Sequence, residues 1–214
     1  KPMSTFNLPE TGMSDHVIVA GYGRTGRAAA QVMKRLGVPF IVVDTDLEAV
    51  GDCTAAGIPT VWGDATRPEI LRSAGADRAR LLFLTIPDAQ TCSLVARLVR
   101  GEYPKMEIVA RALYAEHLAE LHELGVREVI QPELEAGLAM VRQVLMRYRV
   151  TAEEIRRFSE LVRSELYEPI VSDEMPLDCV RLLDEMHRVT DGVEIDWVRI
   201  PEDAEANGRT IGSL

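Results

Sequence analysis

The chain has 214 residues and a formal net charge of −10, with 47% hydrophobic and 27% charged residues. At ~150 residues per domain, this length predicts either one large domain or one domain plus a fragment. The composition excludes wholesale disorder, and the negative charge argues against non-specific binding of nucleic acid. No apolar run approaches the ~20 residues that span a bilayer. Three scattered cysteines predict no disulfide framework, so we expect a reducing cytoplasm.

The negative charge is concentrated in the last third of the chain. Residues 1–150 hold 18 acidic and 17 basic side chains, whereas residues 151–214 hold 16 and 7. A charge asymmetry of this kind indicates a change of module near residue 150.

The first 147 residues are predicted to form a linker and one α/β domain. Residues 1–14 contain two prolines and no hydrophobic periodicity, which is typical of a leader or linker. From residue 15 onward, short apolar runs alternate with segments of helical spacing. The runs predict strands at 16–20, 39–43, 58–62, 80–86, 106–110 and 126–130, and the segments predict helices at 24–36, 46–56, 67–74, 88–100 and 114–124. The pattern predicts a Rossmann-like, doubly wound parallel sheet of six strands over residues 15–147.

A glycine-rich turn follows the first predicted strand directly and precedes the first helix. Its sequence, Gly21-Tyr22-Gly23-Arg24-Thr25-Gly26, has the GxGxxG spacing. The first glycine makes the tight turn, the second lets a pyrophosphate approach the backbone, and the third lets helix and strand pack closely. Free N–H groups at the helix start favour phosphate, and Arg24 adds a positive charge there. The alternative is a glycine-rich turn without a ligand.

Two aspartates follow the next two strands at the same edge of the sheet. Asp44 comes 21 residues after Gly23, where the dinucleotide fold places an acid on the ribose hydroxyls. A carboxylate there repels a 2′-phosphate, so NAD(H) or an adenine nucleotide is favoured over NADP(H). Asp44 is also a candidate helix cap, although Asp46 suits that role better. Asp64 lies either near the adenine or at the N-cap of the next helix, and both alternatives stay open.

Groups that would perform chemistry on a nucleotide are missing. A dehydrogenase needs an acid or base beside the nicotinamide. His16 opens a strand at its amino end, and His117 and His122 lie on a charged helix, where we expect them to be solvated surface residues. There is no Walker A motif. The sequence therefore predicts that the domain binds a nucleotide without transforming it.

Several segments carry a family resemblance. They are VIVAGYGRTGR (17–27), VVDTD (42–46), GIPTVWGDAT (57–66), LRSAGADRAR (71–80), IVARA (108–112) and VIQPELEAGLAM (129–140). In these segments the chain resembles the RCK/KTN (TrkA-N-like) nucleotide-binding domain. Residues 191–214 resemble the beginning of the companion TrkA-C-like domain, so we expect the chain to stop inside that domain.

The resemblance implies a function and a set of cofactor-binding residues. Such domains lie at the cytoplasmic face of the inner membrane and gate potassium channels or cation–proton antiporters. They form homodimers, in some cases octameric rings, and bind NAD(H) or ATP, ADP or AMP. Carried over by position, the cofactor-binding set is Gly21, Tyr22, Gly23, Arg24, Thr25, Gly26, Asp44, Thr45, Asp64, Ala65, Thr85, Ile86 and Arg111. In this set Thr85 and Ile86 line the pocket, and Arg111 either reaches a phosphate or forms a surface ion pair.

The segment 148–190 is predicted to be a helical connector and dimerisation element. Thr151 to Glu154 form a capping box, and an apolar stripe follows at Ile155, Phe158, Leu161, Val162 and Leu166. This stripe packs either on the core of its own domain or on a partner subunit. Residues 153–167 resemble the region that follows this domain in bacterial antiporters. Pro169 and Pro176 predict a hinge before a second helix at 177–188.

Two other function classes remain. One is an NAD-dependent oxidoreductase that takes its catalytic residues from elsewhere. The other is a free-standing redox or nucleotide sensor.

Overall fold

The computed structural model describes residues 4–9 and 12–167. The chain divides into two units, Lys1–Val171 and Ser172–Leu214. The predicted hinge at Pro169 and Pro176, the second helix at 177–188 and the TrkA-C-like segment 191–214 lie outside the described residues.

The first unit is an alternating α/β structure, as the sequence predicts. The strands are β1 (Ser4–Phe6), β2 (Val17–Ala20), β3 (Phe40–Asp44), β4 (Thr60–Trp62), β5 (Leu81–Leu84), β6 (Glu107–Arg111) and β7 (Glu128–Ile130). The helices are α1 (Arg24–Leu36), α2 (Leu47–Ala55), α3 (Pro68–Ser73), α4 (Ala89–Glu102), α5 (Ala115–Glu123), α6 (Pro132–Arg147) and α7 (Ala152–Tyr167). The predicted bounds of α1 are confirmed to the residue.

The strands form one sheet with the order β1-β4-β3-β2-β5-β6-β7. Strands β2 to β7 are all parallel, which confirms the predicted six-stranded parallel sheet. The order reverses between β2 and β5, the strands on either side of the topological switch point. In open sheets of this kind, ligands bind beyond the carboxyl ends of the strands at that point.

A seventh strand lies where the sequence predicts a leader. Within residues 1–14, Ser4–Phe6 pair with β4 in antiparallel register, with Thr5 opposite Val61. The pairing partner is more than fifty residues away, and a three-residue edge strand has no hydrophobic alternation to reveal it. The prediction of a leader or linker over residues 1–14 did not include this strand.

Hydrophobic clusters cover both faces of the sheet. On one face, Ile18, Ile41 and Leu82 pack with buried side chains of α3, α4 and α5. On the other, Val19 and Val42 pack with buried side chains of α1 and α2. Because both faces are covered, the central strands are continuous apolar runs, which is why they could be recognised from the sequence.

Helices α6 and α7 follow the last strand and are joined by polar contacts. The capping box is present, since Thr151 N donates to Glu154 Oε2 at 3.0 Å and Glu154 N donates to Thr151 Oγ1 at 3.2 Å. Arg163 donates to Glu135 Oε2 at 2.8 Å, and this ion pair holds the pKa of Glu135 below its usual range. No residue of α6 is buried.

Candidate functional site

The turn between β2 and α1 is held by backbone geometry that only glycine adopts easily. Gly21 has a φ of 99°, in the left-handed region. Its N–H donates to Val43 O at 2.9 Å, and its carbonyl accepts the Thr85 hydroxyl at 2.7 Å. A Cβ at Gly21 would also lie 3.1 Å from Ile86 N. The turn is thereby fixed to β3 on one side and to the end of β5 on the other.

The second and third glycines of the motif have different surroundings. A Cβ at Gly26 would lie 2.1 Å from Gly21 O, whereas a Cβ at Gly23 would have nothing within 4 Å. The third glycine is thus required for packing of α1 on the turn. The second faces open space, as expected where a ligand approaches the backbone.

The amino end of α1 presents free hydrogen-bond donors. Its N-cap, Gly23, has no side chain to cap the helix, and no acidic residue lies in the first turn. The first N–H groups of a helix have no intrahelical partner, and the helix dipole makes this end positive. Arg24 is exposed and Thr25 half-buried at the same end. The arrangement suits a phosphate.

Tyr22 is buried between the glycines and fixes the turn from the side. Its N–H donates to Asp44 Oδ2 at 2.5 Å. The guanidinium of Arg27 lies 5.2 Å from the centroid of its ring, and Arg27 also pairs with Asp52 at 2.6 Å. Burial raises the pKa of the Tyr22 hydroxyl. These contacts connect the turn to α1 and α2.

Asp44 lies at the carboxyl end of β3, next to the glycine turn. Besides accepting from Tyr22 N, its Oδ1 accepts from Asp46 N at 2.8 Å. Asp46, not Asp44, caps α2, because its side chain accepts from Glu48 N at 2.9 Å. A carboxylate has about four acceptor positions, so Asp44 retains capacity for ribose hydroxyls.

Two neighbours of Asp44 complete this side of the sheet edge. Thr45 is exposed, and its carbonyl accepts the indole N–H of Trp62 at 3.0 Å. Asp64 is exposed, and its Oδ1 accepts from Thr66 N and from the Thr66 hydroxyl at 2.9 and 2.7 Å. Helix α3 begins after Arg67, so the N-cap alternative for Asp64 is wrong. Ala65, which follows Asp64, is buried.

Thr85 and Ile86 follow β5 on the other side of the switch point. Thr85 is buried, and its hydroxyl is occupied by the turn carbonyls. Ile86 is half-buried and packs against the core cluster beneath the edge. The structure therefore places both beside the glycine turn.

Arg111 ends β6 at the same edge, two strands away from the turn. Its Nη2 lies 2.7 Å from Glu133 Oε1, in the first turn of α6. The Arg111 side chain is only 14% exposed, and its Nε is buried without a partner among the described residues. Of the two alternatives left by the sequence, the ion pair is present. The free Nε–H leaves the guanidinium able to bind a second acceptor.

One histidine lies in a different environment from the one predicted. His117 is 2% exposed, so the prediction of a solvated surface residue is wrong for it. Its Nδ1 accepts from Leu113 N at 3.3 Å, its Nε2 has no partner within the described residues, and burial lowers its pKa. Helix α5 contains several charged residues, but it packs against α4. His16 is buried at the amino end of β2, the edge opposite the glycine turn, as predicted.

The two cysteines in the described part of the chain are also buried. Burial raises the pKa of the Cys92 thiol to about 12 and that of Cys53 above its usual value. Within residues 4–9 and 12–167, no group of three or more His, Cys, Asp or Glu side chains is placed to hold a metal ion. No helix in those ranges is long and apolar enough to cross a membrane.

Glu133 was not predicted from the sequence to contact any residue of the site. The signal available was its position directly after Pro132, since acidic side chains are favoured in the first turn of a helix. That signal predicts a helix start, and it contains nothing about the contact with Arg111.

Comparison with known proteins identifies relatives for most of this unit. Residues 17–132 match the TrkA-N domain family. A putative K⁺ efflux antiporter from Alkalimonas amylolytica, KefB, is 32% identical over 159 residues, which are 74% of this chain and 24% of that protein. The glutathione-regulated potassium-efflux system protein KefC of Salmonella paratyphi B is 35% identical over 147 residues, or 69% of this chain and 24% of that protein. The chain thus spans about a quarter of the length of these curated relatives.

Solved structures share the fold. The TrkA-N domain of the Escherichia coli inner membrane protein ybaL superposes with a TM-score of 0.59 at 29% identity, over 61% of this chain and 97% of that one. The AMP-bound Kef C-terminal domain of Shewanella denitrificans gives a TM-score of 0.65 at 24% identity, over 73% and 98%.

Proposed function

Because the chain belongs to the TrkA-N domain family, we propose that it is a nucleotide-sensing regulatory domain of a monovalent-cation transport protein. It would act at the cytoplasmic face of the inner membrane, on a transporter in the same polypeptide or in a separate subunit. The relatives that are named K⁺ efflux antiporters favour an antiporter over a channel. The observation that carries the proposal is the glycine turn, in which Gly23 faces open space beside the carboxylate of Asp44.

The ligand is NAD(H) or an adenine nucleotide. The free N–H groups of α1 bind the phosphate next to Gly23, and Asp44 accepts hydrogen bonds from the ribose hydroxyls. AMP is bound by the Shewanella Kef domain, which has the same fold. The carboxylate of Asp44 disfavours a 2′-phosphate, so NADPH should bind more weakly than NADH.

Calorimetry with AMP, ADP, ATP, NAD and NADH tests this site. Gly23→Ala puts a methyl group where a phosphate would lie, and it should weaken binding at least tenfold. Gly51→Ala is the matched control, because Gly51 lies within α2 and its Cβ would also have nothing within 4 Å. If Gly23→Ala binds all five nucleotides as tightly as Gly51→Ala does, the site is assigned wrongly.

The domain works by binding, without catalysis. His16 lies at the wrong edge of the sheet, and His117 is buried with a lowered pKa. His122 is in the last turn of α5, which runs back to the amino-terminal edge. The competing oxidoreductase is tested by incubating the protein with NAD and a panel of small alcohols. Formation of at least one NADH per protein molecule would favour the oxidoreductase.

We further propose that the domain forms a homodimer through α6 and α7. Large apolar side chains are exposed along these helices: Met140 (71%), Val141 (41%), Val144 (51%), Phe158 (59%) and Leu161 (41%). Of the stripe residues 155, 158, 161 and 162, whose side chains the structure describes, Ile155 alone is buried within the protein's own fold (3% exposed). Exposed apolar side chains of this number are typical of an interaction site.

Equilibrium sedimentation tests the dimer. Val144→Asp places a charge within the exposed face and should convert the protein to monomers. Val32→Asp, on the exposed side of α1, is the control with an equal change at a similarly exposed valine (56%). A Val144→Asp protein with the mass of a dimer would refute this interface.

A further inference from the structure

The Arg111–Glu133 pair connects the carboxyl edge of the sheet with the start of α6. Arg111 is largely buried, whereas the side chain of Glu133 is 59% exposed. One Glu133 oxygen contacts one guanidinium nitrogen, Nη2, at 2.7 Å. Arginine binds carboxylates and phosphates best through two parallel N–H bonds. The carboxylate of Glu133 therefore uses one N–H group of a guanidinium that could form two parallel hydrogen bonds with an anion.

The Nε–H of Arg111 is a further donor that an anion could use. Its Nε–H is buried and unpartnered within the described part of the chain. A buried donor without an acceptor is unfavourable, and an incoming anion that accepted from both Nε and Nη2 would satisfy it. Such an anion would have to displace Glu133, because the carboxylate already occupies Nη2.

The position of Arg111 fits the far end of a nucleotide's phosphate chain. Strands β2, β5 and β6 are neighbours in that order, so the end of β6 lies about 10 Å across the sheet from the end of β2. The glycine turn follows β2. A phosphate bound at the turn lies out of reach of Arg111, while further phosphates extend along the crevice toward β5 and β6.

Uncharged contacts also hold the start of α6, since the N–H of its N-cap residue Gln131 donates to Tyr167 Oη at 3.2 Å. No residue of α6 is buried, and the preceding Gln131 donates from its side chain to Leu113 O at 3.3 Å. Within the described part of the chain, the Arg111–Glu133 pair is the ion pair that joins α6 to the sheet. Loss of the pair would therefore loosen the helix that carries much of the exposed apolar face.

We propose that Glu133 is an internal occupant of an anion subsite formed by Arg111, and that the terminal phosphates of a di- or triphosphate ligand displace it. Glu133 then determines specificity by competing with ligands that carry more than one phosphate, and it leaves a monophosphate unaffected. Its displacement frees the amino end of α6. This inference rests on the proposed nucleotide site.

The test compares AMP, ADP and ATP by calorimetry. Glu133→Gln removes the competing charge and should tighten ATP binding by about two- to fivefold, the usual range for one partly exposed ion pair. AMP affinity should stay unchanged. Glu135→Gln is the matched control, since Glu135 lies in the same helical turn and pairs with Arg163 instead. It should change neither affinity.

A double-mutant comparison separates competition from a structural effect. In an Arg111→Gln background, Glu133→Gln should no longer alter ATP affinity. Hydrogen exchange gives a second readout: ATP should raise exchange at the start of α6 in the wild type, and Glu133→Gln should show raised exchange without nucleotide. Equal gains for AMP and ATP in Glu133→Gln, or a gain that persists without Arg111, would overturn the inference. If no nucleotide binds to the wild type, the proposed function itself fails.

Discussion

The second and third glycines of the turn, Gly23 and Gly26, should respond differently to the same substitution. Gly26→Ala would place a Cβ 2.1 Å from Gly21 O, which must retreat by about 0.9 Å to reach 3.0 Å, the distance below which Cβ atoms are essentially never found. That oxygen is a backbone atom and accepts the buried Thr85 hydroxyl at 2.7 Å. The clash therefore cannot be relieved by rotating a side chain.

The expected cost of Gly26→Ala follows from these contacts. Overpacking costs about 1–3 kcal/mol, and an orphaned buried hydroxyl costs a similar amount. We expect the free energy of unfolding to fall by at least about 2 kcal/mol, which lowers the Tm by roughly 4–8 °C for a chain of this size. In contrast, Gly23→Ala meets no atom within 4 Å. Exchange of glycine for alanine at an N-cap costs less than about 1 kcal/mol.

Circular dichroism melts and calorimetry on the two variants separate folding from binding. Gly26→Ala should lose stability, and Gly23→Ala should keep its stability and lose nucleotide affinity. A Gly26→Ala protein that melts within 1 °C of the wild type would refute the close packing of α1 on the turn. A Gly23→Ala protein that melts as early as Gly26→Ala would show that the second glycine is structural as well.

Two further predictions concern buried titratable groups. Burial lowers the pKa of His117 below 6.5 in the folded protein, so the unfolded chain binds a proton at this residue more tightly. The stability that neutral His117 contributes is therefore complete above about pH 6.5. It is lost as the pH falls toward the pKa of the folded state. Between pH 7.5 and pH 5, the midpoint of urea unfolding should therefore fall by more in the wild type than in His117→Gln. His122→Gln is the control and should behave like the wild type. Equal decreases in all three proteins would contradict this prediction. Because Cys53 and Cys92 are buried with raised pKa values, a Cys179→Ser protein should not react with a disulfide reagent at pH 8 until denatured. Rapid labelling of the native protein would instead support redox sensing through these thiols.

The parallel sheet and the glycine turn were predictable because both depend on residues that are close together in the sequence. Each central strand is covered on both faces and is therefore a short apolar run, as in residues 40–43. The helix α1 begins after Gly23 and ends before Gly37, which takes a left-handed C-cap conformation. Steric requirements of this kind concern neighbouring residues, so spacing alone reveals them.

The contacts that the sequence did not determine are those between distant segments. Strand β1 exists because Ser4–Phe6 meet the edge strand β4, more than fifty residues away. His117 is buried on α5, which packs beside α4, although Glu116 and Glu120 are close to it in the sequence.

The sequence by itself determined the parallel sheet, the glycine turn and the acidic residue that follows β3. For Arg111 it left two roles open, because a charged residue at a strand end is compatible with a ligand or an ion pair. Only the tertiary structure decided that α6 returns to the edge of β6 and places Glu133 against the guanidinium. The physical reason is that the direction in which a helix leaves a sheet depends on the packing of the whole domain. A local sequence pattern therefore does not predict this direction.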